Sequence, residues 1–142
     1  MCGIAGFSGI VTDPSASLSK MIKTLNHRGP DDRGLWFDNN ANVGLAHSRL
    51  SILDLSSAGH QPMHSQSGRF VIIFNGEIYN YKKILSELEI SSTLKLKGQS
   101  DTEVLLAAIE AWGLKNTLKK ASGMFALALW DKEKNNLFLA RD

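Results

Sequence analysis

The sequence begins MCGIAGFSG, and its single cysteine, Cys2, follows the initiator methionine directly. Removal of Met1, favoured by the small Cys2 side chain, would leave one residue carrying both a thiol and a free α-amine. An α-amine has a reference pKa of about 7.7–8.0, so a useful fraction is an unprotonated base at neutral pH. Such an amine can accept the thiol proton, directly or through a water, and later protonate a leaving group. Nucleophile and base then belong to the same residue. While Met1 is attached, that nitrogen is an amide and cannot act as a base. The competing reading of Cys2 is a small buried hydrophobe in the first strand, the usual fate of a free cysteine.

Acyl transfer also needs donors for a developing oxyanion, and an amino-acid substrate needs partners for its carboxylate and its ammonium. In FNGEIYN, the Asn75 side-chain amide and the Gly76 backbone N–H, at the end of a strand, can serve one oxyanion. Asn-Gly is more commonly just a tight turn. Arg49, in AHSRLSI, can hold a carboxylate through two parallel bonds, which lysine cannot reproduce. A structural ion pair is its commoner role. Asp101 opens a predicted helix, where it either complements the helix dipole or receives a substrate ammonium, with Glu77 as a second candidate for that ammonium.

The elements that would carry these residues are legible from pattern. IAGFSGIV, residues 4 to 11, reads as a strand. Asp13 and Pro14 open a helix whose apolar face is Leu18, Met21, Ile22 and Leu25. GLWF and VGLAHSRLSIL read as strands separated by DNNAN, and SSAGHQPMHSQSG reads as a loop. RFVIIFNGE is a strand closed by the Asn75-Gly76 turn signal, and NYKKILSELE a helix capped by Asn80. STLKLKG alternates like a strand. Ser100 and Glu103 form a capping box ahead of DTEVLLAAIEAW, and GMFALALWD with LFLARD forms a hairpin. Several strands with about four helices predict an α+β domain.

Bulk properties remove other classes. At 142 residues, 43% hydrophobic and 21% charged, the chain is expected to fold as one soluble domain. A net charge of +2 with scattered lysines argues for neither nucleic acid nor a membrane surface as partner. No apolar run has the roughly 18 residues of a membrane span, and the N-terminus lacks the layout of a secretory signal. One cysteine cannot form an internal disulfide, which fits a cytoplasmic setting. His60 and His64 in HQPMH are poor evidence for a metal, because Pro62 prevents the helix that would align them.

Seven collinear stretches, MCGIAGF, HRGPDDRG, AHSRLSILDLSSAGHQPM, FNGEIYNY, SDTEVLL, GMFALALWD and LFLARD, resemble the class II glutamine amidotransferase domain. The resemblance is strongest to the glutaminase half of glutamine-dependent asparagine synthetases and covers nearly the whole chain. It implies an N-terminal-nucleophile hydrolase fold, an αββα sandwich of two antiparallel sheets between helical layers. It also implies roles: Cys2 as nucleophile, its freed amine as base, Asn75 and Gly76 as oxyanion hole. Arg49 would bind the glutamine carboxylate, Glu77 and Asp101 the amino group, with Arg28 and Gly29 in the loop bordering the nucleophile.

The implied reaction turns L-glutamine into glutamate and ammonia through a cysteine thioester, with no metal or cofactor. ATP and Mg²⁺ are expected only in a synthetase domain, whose SGGxDS loop is absent from residues 1–142. The family's domain continues past LFLARD, so residues 1–142 are expected to be a glutaminase domain incomplete at its C-terminal end, with free sheet edges that could pair in a homodimer. HRGPD and SRLSILDL favour the asparagine synthetase group, which includes homologues that amidate sugars of surface polysaccharides. A non-catalytic module retaining the fold is the remaining alternative.

Overall fold

The run Phe70–Phe74 places large apolar side chains at consecutive positions, and a strand can bury such a run only if both its faces are covered. The computed structural model, which describes residues 2–51, 57–91, 96–98 and 100–142, covers both. In chain order the elements are β1 (Gly3–Ser8), α1 (Pro14–Thr24), β2 (Asp32–Asp38), β3 (Val43–Arg49), β4 (Met63–His64) and β5 (Phe70–Ile78). There follow α2 (Tyr81–Ser91), α3 (Asp101–Trp112), α4 (Leu114–Lys120), β6 (Gly123–Asp131) and β7 (Asn136–Arg141). Short 3-10 turns occupy Asn26–Arg28 and Ser57–Gly59.

The strands form two antiparallel sheets, ordered β1-β3-β2 and β4-β5-β6-β7. Alternation then sorts side chains into layers. Val71 and Ile73 of β5 point inward with Ala128 and Trp130, meeting Val43, Leu45, Ile4 and Trp36 of the other sheet. Phe70, Ile72 and Phe74 point outward onto Ile84 and Leu88 of α2 and Val104, Leu105 and Ile109 of α3. On the far side, Leu18 and Ile22 of α1 cover Ala46 of β3, with Ala5, Phe7 and Leu25 packed around them. The layers are helix, sheet, sheet, helix, the expected α+β sandwich.

Local expectations hold in part. Asp13 caps α1 by accepting from the Ala16 N–H at 2.9 Å, with Pro14 inside the first turn. Met21, expected on the buried face of α1, is exposed. β1 ends at Ser8 rather than residue 11, because Gly9 turns out with φ +129° and Ile10 is 89% exposed. β3, the central strand of the first sheet, stops at Arg49, and the HQPMH loop contributes the two-residue β4.

Three corrections matter more. Asn75-Gly76 is not a turn: β5 runs through it to Ile78, paired with β6 throughout. Asn80 does not cap α2 with its side chain; its amide donates to the Lys120 carbonyl and its oxygen accepts from the Ser122 N–H, tying α2 to the α4–β6 junction. The capping box at α3 is half formed. Ser100 accepts from the Glu103 N–H at 3.2 Å, while the Glu103 carboxylate takes the N–H groups of Lys97 and Gly98 instead of that of Ser100. Most of the expected STLKLKG strand lies outside the described residues. The added helix α4 follows Gly113, whose φ of +79° breaks the chain between Trp112 and Leu114.

Candidate active site

The alternation that builds the inter-sheet core also gathers the polar residues at its open end. In β3, Val43 and Leu45 face the second sheet, so His47 and Arg49 do too; in β5, Val71 and Ile73 face the first sheet, so Asn75 and Glu77 follow. Ile4 packs in the same layer, which directs Cys2 there, and extending the β1–β3 register by one residue sets Cys2 across from Arg49. Where the hydrophobic layer ends, a cavity of about 140 Å³ opens. Cys2, Arg49, Asn75, Gly76, Glu77 and Asp101 all line it, joined by Leu50, Gly59, Gln61, Phe74, Ser100, Thr102 and Met124.

The half-buried Cys2 sulfur accepts from the Leu50 N–H at 3.4 Å and approaches the Leu50 carbonyl at 3.7 Å. Arg49 is 8% exposed, and its guanidinium lies against Gly59 so closely that a Cβ there would stand 2.6 Å from Cζ and nearer still to Nη2.

At Gly76, β6 approaches β5 too closely for a side chain. A Cβ on it would stand 2.5 Å from the Phe125 Cα and would overlap the Met124 carbonyl. Beside it, the Asn75 Oδ1 is buried with no hydrogen-bond partner among the described residues.

The residue before them, Phe74, is clamped by two side chains. Gln61 Oε1 accepts its N–H at 2.6 Å, and the buried His47 donates from Nε2 to its carbonyl at 3.1 Å. That bond fixes the Nε2–H tautomer. Burial, with the nearby Arg49 and His60 charges, pushes the His47 pKa down to about 4, against the opposing pull of the Phe74 carbonyl and Asp32.

Asp101, the first residue of α3, is 6% exposed and accepts the Ile78 N–H through Oδ2 at 2.8 Å. Burial raises its pKa; the bonds from Ile78 and Thr102 pull it down, and the Glu77 charge pushes the same way as burial. The cavity lining thus includes a guanidinium and two carboxylates, those of Glu77 and Asp101.

Arg28 and Gly29 do not line this cavity. Arg28 lies in the 3-10 turn beside Gly3, where an added Cβ would stand 3.5 Å from the Arg28 Cβ. Gly29 is buried against β3, where a Cβ would stand 2.5 Å from the Ser48 carbonyl oxygen; the Ser48 hydroxyl donates to the Gly29 carbonyl, and the Asp31 N–H to the Arg49 carbonyl. Gln61, Thr102, Leu50 and Gly59 are site residues that sequence reasoning missed. His60 pairs with Asp32 at 2.6 Å and His64 stacks edge-on to Trp36, and among the described residues no group of three or more potential ligands could hold a metal.

The family model described as the glutamine amidotransferase domain matches residues 1–142. The chain belongs to that family. Asparagine synthetase [glutamine-hydrolyzing] 2 of Bacillus subtilis is 40% identical over 147 residues, spanning 100% of this chain and 19% of that protein. Amidase chry2 of Gibberella zeae is 38% identical over 157 residues, spanning 100% of this chain and 22% of that protein. The chain therefore spans about a fifth of the length of these relatives. Among solved structures, glutamine phosphoribosylpyrophosphate amidotransferase from B. subtilis superposes with a TM-score of 0.74 at 21% identity, covering 98% of this chain and 37% of that one. At that identity the likeness is one of fold, and it agrees with the two antiparallel sheets layered between helices in this glutamine amidotransferase domain. No helix among the described residues is long and apolar enough to cross a membrane.

Proposed function

We propose that this domain hydrolyses L-glutamine to glutamate and ammonia through a thioester on Cys2, once Met1 has been removed. The observation that carries the reading is one cavity lined by a thiol, a guanidinium, an Asn-Gly pair and two carboxylates. That set is complementary to a small zwitterion bearing a side-chain amide.

Arg49 would take the α-carboxylate in a bidentate grip, and Asp101 with Glu77 the α-ammonium. The freed Cys2 amine removes the thiol proton, and sulfur attacks the side-chain amide carbon. The C–O π pair moves to oxygen, where the Asn75 side-chain amide and the Gly76 N–H donate to it. Collapse expels ammonia, protonated by the Cys2 ammonium, and leaves a γ-glutamyl thioester. Water, deprotonated by the same amine, adds to the thioester; the thiol departs and glutamate is released. Gly29 acts indirectly, holding β3 in place behind Arg49, and Arg28 borders the nucleophile.

The ammonia would pass to an asparagine synthetase-type domain, where any ATP and Mg²⁺ would bind. A sugar acceptor or a non-catalytic module are the other outcomes. Intact mass before and after 6-diazo-5-oxo-norleucine, with an ammonia assay, tests the reading: loss of Met1, one adduct on Cys2 and glutamine-dependent ammonia are expected. A processed, folded protein that neither labels nor releases ammonia would leave the non-catalytic reading.

A further inference from the structure

β4 is only two residues long, pairing Met63 with Ile72 and His64 with Val71. Continuing that register would set Pro62 against Ile73 and Gln61 against Phe74. Pro62 has no N–H, so the ladder stops there. The β5 edge is left without a strand just before Asn75 and Gly76, the two residues whose placement matters most for the proposed oxyanion hole.

Side chains complete what the strand does not. Gln61 Oε1 accepts the Phe74 N–H at 2.6 Å while His47 donates to the Phe74 carbonyl. The other end of the same Gln61 amide donates to Thr102 Oγ1 at 3.4 Å, and Thr102 neighbours Asp101, whose carboxylate accepts from Ile78 at the end of β5. Gln61 is 6% exposed, and its backbone is seated against Gly34 of β2, where a Cβ would stand 2.7 Å from the Gln61 carbonyl carbon. One buried amide therefore bridges the strand carrying the oxyanion donors and the helix carrying the ammonium-binding carboxylate.

We infer that Gln61 is a positioning residue: it sets the Asn75-Gly76 corner relative to the start of α3, so that a substrate bound at Asp101 presents its amide to the oxyanion donors. This rests on the glutaminase reading, and it assigns Gln61 no contact with the reacting atoms. An oxyanion hole acts on the transition state more than on bound substrate, so the effect falls on kcat.

The test compares Gln61→Met, which removes both bonds at similar volume, with Gln61→Glu, which keeps one oxygen for the Phe74 N–H and offers a second to the Thr102 hydroxyl in place of Asp101 Oδ1, 3.5 Å from it. Turnover is divided by the fraction of Cys2 that the diazo-ketone titrates, so that misfolded protein does not count. Gln61→Met is expected to lower kcat about 10–100-fold with KM for glutamine within about threefold, and Gln61→Glu to recover most of the loss. In parallel, the Asn75 side-chain and Gly76 amide resonances should shift in Gln61→Met and return towards the parent in Gln61→Glu. Unchanged kcat per titrated site, a loss carried by KM alone, or unmoved resonances would overturn the role of Gln61. If the parent protein releases no ammonia, the glutaminase reading fails and the resonances still decide Gln61. Should Gln61→Met not fold, Thr102→Val cuts one end of the bridge and is read by the same resonances.

Discussion

Gly59 lies flat against the guanidinium of Arg49, leaving no room for a methyl group between them. The 3-10 turn Ser57–Gly59 thus forms a wall that holds the arginine over the cavity. Gly59→Ala is expected to displace the guanidinium, raising KM for glutamine about tenfold or more while kcat changes little, because a carboxylate grip is made in substrate and transition state alike. Steady-state kinetics against glutamine checks this; an unchanged KM would mean that the turn yields instead of the arginine.

Cys2 and Arg49 stand across from one another but should fail differently. Cys2→Ser is expected to lower turnover by several orders of magnitude while glutamine binding, measured by calorimetry, persists. Arg49→Lys keeps the charge but loses the planar fork, so binding weakens and labelling at saturating electrophile survives. Equal, near-parental turnover in both variants would overturn these roles.

The residues with distinctive chemistry were legible in the sequence: Cys2, Arg49, Asn75, Gly76, Glu77 and Asp101 all line one cavity. What made them converge was not legible, since it depends on the register that sends Cys2, Arg49 and Asn75 into the same inter-sheet layer. Asn75-Gly76 read as a turn because that dipeptide favours turns in isolation; here the glycine is required by the approach of β6, a tertiary demand. Gln61 and Gly59 went unnoticed because their work is done on a backbone amide and on another side chain, which no periodicity reports. The one available signal was Pro62, which cannot continue a ladder and so leaves Phe74 in need of another partner.

Asp101 combines a structural bond with a burial penalty, and the two can be separated. Asp101→Asn keeps an oxygen for the Ile78 N–H but removes the buried charge and the repulsion from Glu77. The folded-state pKa of Asp101 lies above its unfolded value, so the folded protein holds the extra proton and loses stability as pH rises through that acidic window. The asparagine variant lacks that loss, and its melting temperature at pH 7 should equal or exceed the parent's. Glutamine KM should rise about 10–100-fold, the worth of one charge-assisted bond. A variant that is both less stable and unaltered in KM would assign Asp101 to the fold alone.

His47 supplies a pH dependence of the opposite slope. Its imidazole is buried and neutral, with a folded pKa of about 4 against an ordinary 6.5, and Nδ1 has no partner among the described residues. Below pH 6.5 the unfolded chain takes up a proton that the folded chain refuses until about pH 4. Stability from this site is therefore complete above 6.5 and falls as pH drops towards 4, by about 3 kcal/mol in all. His47→Gln can still donate to the Phe74 carbonyl but does not titrate, so the difference between the two proteins in urea denaturation isolates the effect from that of other groups. Because Nε2–H remains a donor in either charge state, turnover per folded molecule should not follow the His47 titration, and acid inactivation should track unfolding. A difference curve that stays flat from pH 7 to pH 4 would show that the imidazole is not held neutral against Phe74.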